Sequence, residues 1–254
     1  MTLRLTWSQL GYVNKAFWRN PPRAFFTFVF PLMFLVIFTS LLGNDVVHLR
    51  GMTVKLSTYY VPAMGTFGVI SACYNNIAMG IAFQRDAGVL KRVHGTPLPS
   101  SAFLCSQVLH AMLVALLLLV VTAIFGRTAY GAHIPTGSAL VDCIIMLLVG
   151  GAAFCALGLA ITAVIPNADA SPAVVNASIL PLLFLSGIFI PFTDNTPSWI
   201  LWVARIFPIK HFAAGMQAAF IGSAFHWSDV AVVAAWGVGG LLLARRFFSW
   251  EPRV

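Results

Sequence analysis

The stretch QRDAGVLKRVHGTPLPSSA at positions 84–102 holds the densest group of charges away from the chain ends. Arg85, Asp86, Lys91 and Arg92 surround the apolar pair Val89 and Leu90. They read as a short exposed helix or simply as a solvated loop. A helix from about Arg85 to Arg92 would stop at Gly95, with Pro97 just beyond it, an ordinary helix-stop signal. Elsewhere, side chains able to do chemistry are sparse. His110 is the only histidine well inside an apolar run, and Asp142, near the start of another, is the only acid within one. A lone helical histidine is more often a packed residue than a ligand. Cys73, Cys105, Cys143 and Cys155 all fall in apolar runs without CxxC spacing and read as small hydrophobes. The patterns GxxxxGK[ST], GxSxG and HExxH do not occur, so nucleotide binding by a P-loop, acyl transfer and zinc hydrolysis lack their residues. No catalytic residue and no metal ligand is assigned.

What must position that charged loop is a membrane. The 254 residues are 59% hydrophobic and only 9% charged, against about 45–50% and about 25% in soluble domains. The net charge of +8 does not indicate nucleic acid, because the basic residues sit in short loops between apolar runs. Crossing the hydrocarbon core takes about 20 apolar residues. Six runs are read as spans: 24–42, 56–83, 102–126, 139–165, 172–190 and 230–248. Arg245 and Arg246 at the end of the last can reach the interface. The first run lies behind a long basic segment and reads as an uncleaved span. With six spans the ends share a side. Ten Lys and Arg fall on that side, Arg50, Lys55, Arg127, Arg205 and Lys210 on the other. The excess predicts a multi-pass plasma-membrane protein with both termini cytoplasmic.

Two further segments complete the expected fold, which is all-α and integral to the membrane. In residues 1–23, Trp7, Leu10, Val13, Phe17 and Trp18 fall on one helical face and Ser8, Lys15 and Arg19 on the opposite one, predicting an amphipathic helix along the interface. It is a simple anchor or a support for a partner contact, the candidates being Trp7, Lys15, Phe17, Trp18 and Arg19. Between the fifth and sixth spans, residues 191–228 predict an external re-entrant hairpin. Thr196–Pro197 starts one helix with Trp199, Trp202 and Ile206 on one face, and Pro208 ends it. Residues 209–221 are apolar but too short to cross. Ion-coupled carriers keep ionisable groups at mid-membrane. This chain has almost none, so its driving force is expected from another subunit.

The loop at 84–101 resembles that of the ABC-2 family of exporter permeases, which runs roughly E-R-E-x-G-x-L-x-R-L…T-P-L. Arg85, Asp86, Gly88, Leu90, Arg92, Thr96, Pro97 and Leu98 fit, while Gln84 stands where an acid is usual and Asp86 where Glu is common. The family's fifth-span pattern N…P-L-x-F-L-S-G-x-F-x-P is met by Asn176, Pro181, Leu182, Phe184, Leu185, Ser186, Gly187, Phe189 and Pro191. Its continuation P-x-W…P…H is met by Pro197, Trp199, Pro208 and His211. The resemblance implies a single membrane domain that pairs with a second permease chain, identical or paralogous, and seats a cytoplasmic P-loop ATPase. ATP and Mg would be bound by that partner, and none by this chain. Arg85, Asp86, Gly88, Leu90, Lys91 and Arg92 would form the coupling helix. The second and fifth spans would line the path, with Phe67, Asn176, Phe184, Ser186 and Phe189 as candidates and Pro62 and Pro181 as kinks.

The cargo expected from nearly charge-free walls is hydrophobic or amphipathic, a drug or lipid-like compound effluxed from a bacterial cell. A polysaccharide or glycolipid exporter of the same family, and a stand-alone carrier or scaffold with no ATPase, are the other readings.

Overall fold

The computed structural model describes residues 2–42, 46–49, 52–193 and 196–251. Arg50 and Arg253, both counted for orientation, lie outside them. Helix α1 (Thr2–Trp18) runs into α2 (Pro21–Leu42), which opens with a proline pair where missing N–H groups cost nothing. A small antiparallel hairpin follows, β1 (Val46–Leu49) with β2 (Met52–Lys55), pairing Val46 with Lys55 and Val47 with Val54. The sequence alone does not place these residues in an element.

The second span is a single rod, Leu56–Asp86. It consists of α3 (Leu56–Ile70), a π-helical turn (Ser71–Asn75) and α4 (Asn76–Asp86). After Gly88, held at φ +69°, comes the six-residue α5 (Val89–His94). Then come α6 (Ser100–Tyr130), α7 (Ser138–Ile161), α8 (Ser171–Phe184), α9 (Ser198–Ile206), α10 (Pro208–Ile221) and α11 (Trp227–Phe247).

Among the described residues, α2, the rod, α6, α7 and α11 are long and apolar enough to cross a membrane. Helix α8 is not: fourteen residues rise about 21 Å, short of the roughly 30 Å hydrocarbon core. The fifth span, expected as a continuous run over 172–190, is therefore helical only to Phe184. Leu185–Ile190 continue as turns, with Gly187 at φ +84°.

Helix α3 is the centre of the bundle, buried at every position from Leu56 to Ile70 except Thr58. It packs against α2, α6 and α10, and α7 covers the π turn and is itself covered by α11. Backbones approach closely at Gly158 of α7. A β-carbon there would lie 2.8 Å from the Tyr74 carbonyl oxygen and 3.2 Å from that of Cys73. A π turn redirects carbonyls away from the regular ladder, and a glycine lets α7 close against them.

The segment 198–221 forms the expected helix pair. Trp199, Trp202 and Ile206 leave one face of α9 exposed, while Phe212, Met216 and Phe220 bury α10 against its neighbours. His211 binds three elements. One ring nitrogen, Nδ1, meets Asp229 Oδ1 of α11, and the other, Nε2, lies 2.9 Å from the Arg205 carbonyl of α9. Trp236 of α11 donates to the Ile206 carbonyl at 2.9 Å. Two of the carbonyls left orphaned at the end of α9 are thus satisfied.

Candidate functional site

The charged loop folds differently from a solvated helix over 85–92. The rod runs on to Asp86, and this extra turn directs Arg85 inward. Its side chain is 1% exposed. The guanidinium donates to the carbonyl oxygens of Thr162 at 3.1 Å, Ile165 at 2.7 Å and Pro166 at 3.3 Å. These follow the end of α7, where carbonyls lack helical partners and a cation is favoured. Asp86 completes the bracket. Its Oδ1 lies 3.4 Å from Arg85 Nε, and its Oδ2 accepts the Ala168 amide. Arg85 and Asp86 therefore tie the rod to residues 162–170, the connection into α8. As a surface contact Arg85 is corrected by its burial: its donors are taken up inside the protein.

Of the remaining loop residues, Leu90 is fully buried and anchors α5, and Gly88 supplies the left-handed turn before it. Lys91 and Arg92 are exposed. Arg92 donates to the Ala87 carbonyl at 3.2 Å, and Lys91 faces Glu251 at 3.9 Å, an exposed pair worth at most about 1 kcal/mol. Trp250 stacks on His94 with ring centres 5.3 Å apart and touches Phe103, so the residues after α11 fold back onto α5.

Helix α1 lies against α6. Thr6, Leu10 and Phe17 make its buried stripe. Trp7 and Trp18, expected on that face, lie on a neighbouring stripe and are exposed, as are Lys15 and Arg19. The bundle covers only a narrow strip of the helix. Trp18 stacks on Phe28 instead.

The path candidates divide. Phe67, Phe184 and Phe189 come together, with Phe189 5.5 Å from Phe67 and 5.0 Å from Phe184 between ring centres. Phe34 and Phe38 of α2 join them, and Phe38 stacks on Tyr60 at 5.1 Å. The cluster surrounds the unwound end of the fifth span. Tyr59 donates to the Gly187 carbonyl, and Tyr60 donates to that of Phe189 at 3.1 Å. Ser186 turns its hydroxyl back onto the Leu183 carbonyl at 2.7 Å, so it serves the backbone. Non-helical backbone at membrane depth survives only when protein supplies such partners. Asn176 stands apart from the cluster, exposed on α8.

The pattern of the ABC-2 type transporter family matches residues 5–221, which includes the bracket, the aromatic cluster and the α9–α10 pair. The chain belongs to that family.

Two relatives extend the match. A protein of Bacillus subtilis strain 168 named as a transport permease, YvfS, is 20% identical over 227 residues, covering 89% of this chain and 90% of its own. A transport permease so named from Porphyra purpurea, ycf38, is 22% identical over 221 residues, covering 87% and 75%. This ABC-2 permease is thus a membrane-spanning transport subunit, of a family that works with an ABC ATPase. Three of its residues escaped the sequence reading: Tyr59 and Tyr60, which hold the broken span, and Ala168, which meets Asp86. A clue to the Arg85 contacts was in the sequence, because the loop after the fourth span contains no Lys or Arg. Any cation for its helix-end carbonyls comes from elsewhere in the chain.

Proposed function

We propose that this permease is the membrane half of an exporter driven by a separate P-loop ATPase, that two permease chains pair to form the path, and that the cargo is hydrophobic or amphipathic. In this reading α1, α5 and both termini are cytoplasmic and α9–α10 external, and the cell membrane is that of a bacterium. The observation that carries the proposal is the Arg85–Asp86 bracket. Helix α5 exposes Lys91 and Arg92, and its base is the end of a rod fixed to the connection into α8. A partner pressing on α5 in one of its nucleotide states therefore moves the rod and α8 together, which is the state-dependent contact a population shift requires. The rod and α8 carry Phe67 and Phe184, two rings of the aromatic cluster. That apolar wall supports an amphipathic cargo over a small ion.

The test is charge reversal on the exposed face alone, Lys91→Glu with Arg92→Glu. Membrane insertion and thermal stability should be unchanged, surface substitutions of this kind being worth within about 0.5 kcal/mol. Co-purification of the ATPase and nucleotide-driven export should both fall at least about tenfold, the effect of losing one good charged contact. Export by the isolated permease without any ATPase, or full export by the double variant, would sink the reading.

A further inference from the structure

We propose that the cleft between α1, α4 and α6 is a binding site for the phosphate head of an anionic phospholipid. The cleft has a volume of about 360 Å³. Tyr12 of α1, Arg23 of α2, Asn76 and Gln84 of α4, and Gln107 and His110 of α6 all line it. Each of these side chains can donate a hydrogen bond, and no Asp or Glu is among the described lining residues. The rest of the wall is apolar, from Val13 and Phe17 to Ile77 and Ile81.

Two observations show that the polar side of this cleft is unfinished within the chain. Among the described residues, no carboxylate lies within ion-pair distance of Arg23, whose guanidinium stands over the Phe17 ring at 5.7 Å from its centre. His110 is 7% exposed, and its Nδ1 is buried without a hydrogen-bond partner among the described residues. An imidazole nitrogen buried without a partner is unfavourable unless a ligand completes it, and the exposed guanidinium of Arg23 beside it is placed to meet an incoming anion.

An oxyanion meets both needs. A phosphodiester brings negative charge to Arg23 in the fork geometry guanidinium favours. It also brings acceptor oxygens for the amides and the histidine. The position selects the carrier. The cleft opens beside an amphipathic helix at the end of the bundle, where lipid head groups lie, and basic pockets between membrane helices are a recognised form of lipid site. Its apolar wall suits the first carbons of acyl chains. The site does not depend on the export reading: it would be occupied in a stand-alone membrane protein as well.

Native mass spectrometry of the detergent-solubilised protein, titrated with phosphatidylglycerol, tests the proposal. One lipid per chain should be retained, more tightly than phosphatidylcholine, whose choline competes for its own phosphate. Arg23→Gln should weaken retention about tenfold and Gln107→Leu by at least about threefold, as expected when charged and neutral hydrogen bonds are lost. Arg19→Gln, which removes a charge exposed like that of Arg23 but outside the cleft, should leave it unchanged. If Arg23→Gln does not fold, Gln107→Leu carries the test alone. Equal losses for Arg19→Gln and Arg23→Gln would mean diffuse surface attraction and overturn the site. So would equal retention of phosphatidylcholine, or no loss in Gln107→Leu. Displacement by inorganic phosphate at equal concentration would assign the cleft to a soluble anion and overturn the lipid.

Discussion

Replacing Arg85 by methionine keeps the length and removes the guanidinium. Three hydrogen bonds from a charged donor disappear, to the carbonyls of Thr162, Ile165 and Pro166, each worth about 1.5–3 kcal/mol. The gross loss is then roughly 4–9 kcal/mol on that scale. Two effects reduce it: burying the cation already costs several kcal/mol, and Pro166 is exposed, so its carbonyl can turn to water. A net loss of about 2–4 kcal/mol in the docking of residues 162–170 is expected, corresponding to about 30-fold or more in the docked population. Hydrogen exchange at the Ala168 amide reads this directly, because that N–H is bonded to Asp86. Its protection should fall by at least that factor, while amides in the middle of α6 stay as they were. Nucleotide-driven export should drop in parallel, with ATPase co-purification retained, because α5 and its exposed charges remain. Unchanged exchange at Ala168 would refute the bracket. Loss of the ATPase together with unchanged exchange would return Arg85 to the docking surface.

Gly158→Ala places a β-carbon against the backbone of the π turn at 2.8 Å from the Tyr74 oxygen, where nothing can rotate away. It should lower stability by about 1–3 kcal/mol in thermal unfolding, while Gly239→Ala, with nothing within 4 Å of the added carbon, should be neutral. Tyr59→Phe and Tyr60→Phe each leave one carbonyl of the broken fifth span without its donor, at about 1–3 kcal/mol apiece. The double variant should show greater thiol labelling of a cysteine placed at Ile188 than either single one, and equal labelling in all would refute their role. Asp229→Asn removes the charge facing His211. It should release the α9 end and cost about 1.5–3 kcal/mol, seen as faster exchange in α10 with α6 unaffected.

The spans were legible because their signal is composition and length, and a bilayer demands both. Pro208 marked the boundary after α9 for a local reason, since proline suits the first turn of the helix that follows, while α9 begins one residue later than Thr196–Pro197 suggested, with Pro197 as its N-cap. Gly95 and Pro97 likewise marked the end of α5. What escaped depends on partners distant in sequence. Arg85 has the same local setting whether it faces water or the end of α7, and one further helical turn before Gly88 decides between them. The π turn has no side-chain signature, and its trace, Gly158, is more than eighty residues away in the chain. The end of α8 at Phe184 was missed, since Pro181 reads only as a kink within a span running to Ile190. What makes the broken backbone tolerable, however, is a pair of tyrosines on a different span. Trp7 and Trp18 were grouped with Phe17 by helical angle alone, which cannot tell how wide a strip the bundle covers.

The second span has a mechanical consequence. A continuous helix of 31 residues is about 46 Å long. If it pivots about one end by about 5°, simple trigonometry on that length carries the other end about 4 Å, close to the thickness of a hydrocarbon tail. Such leverage would let a modest nudge at one water interface open or shut a gap at the far one, with no helix needing to melt or rewind.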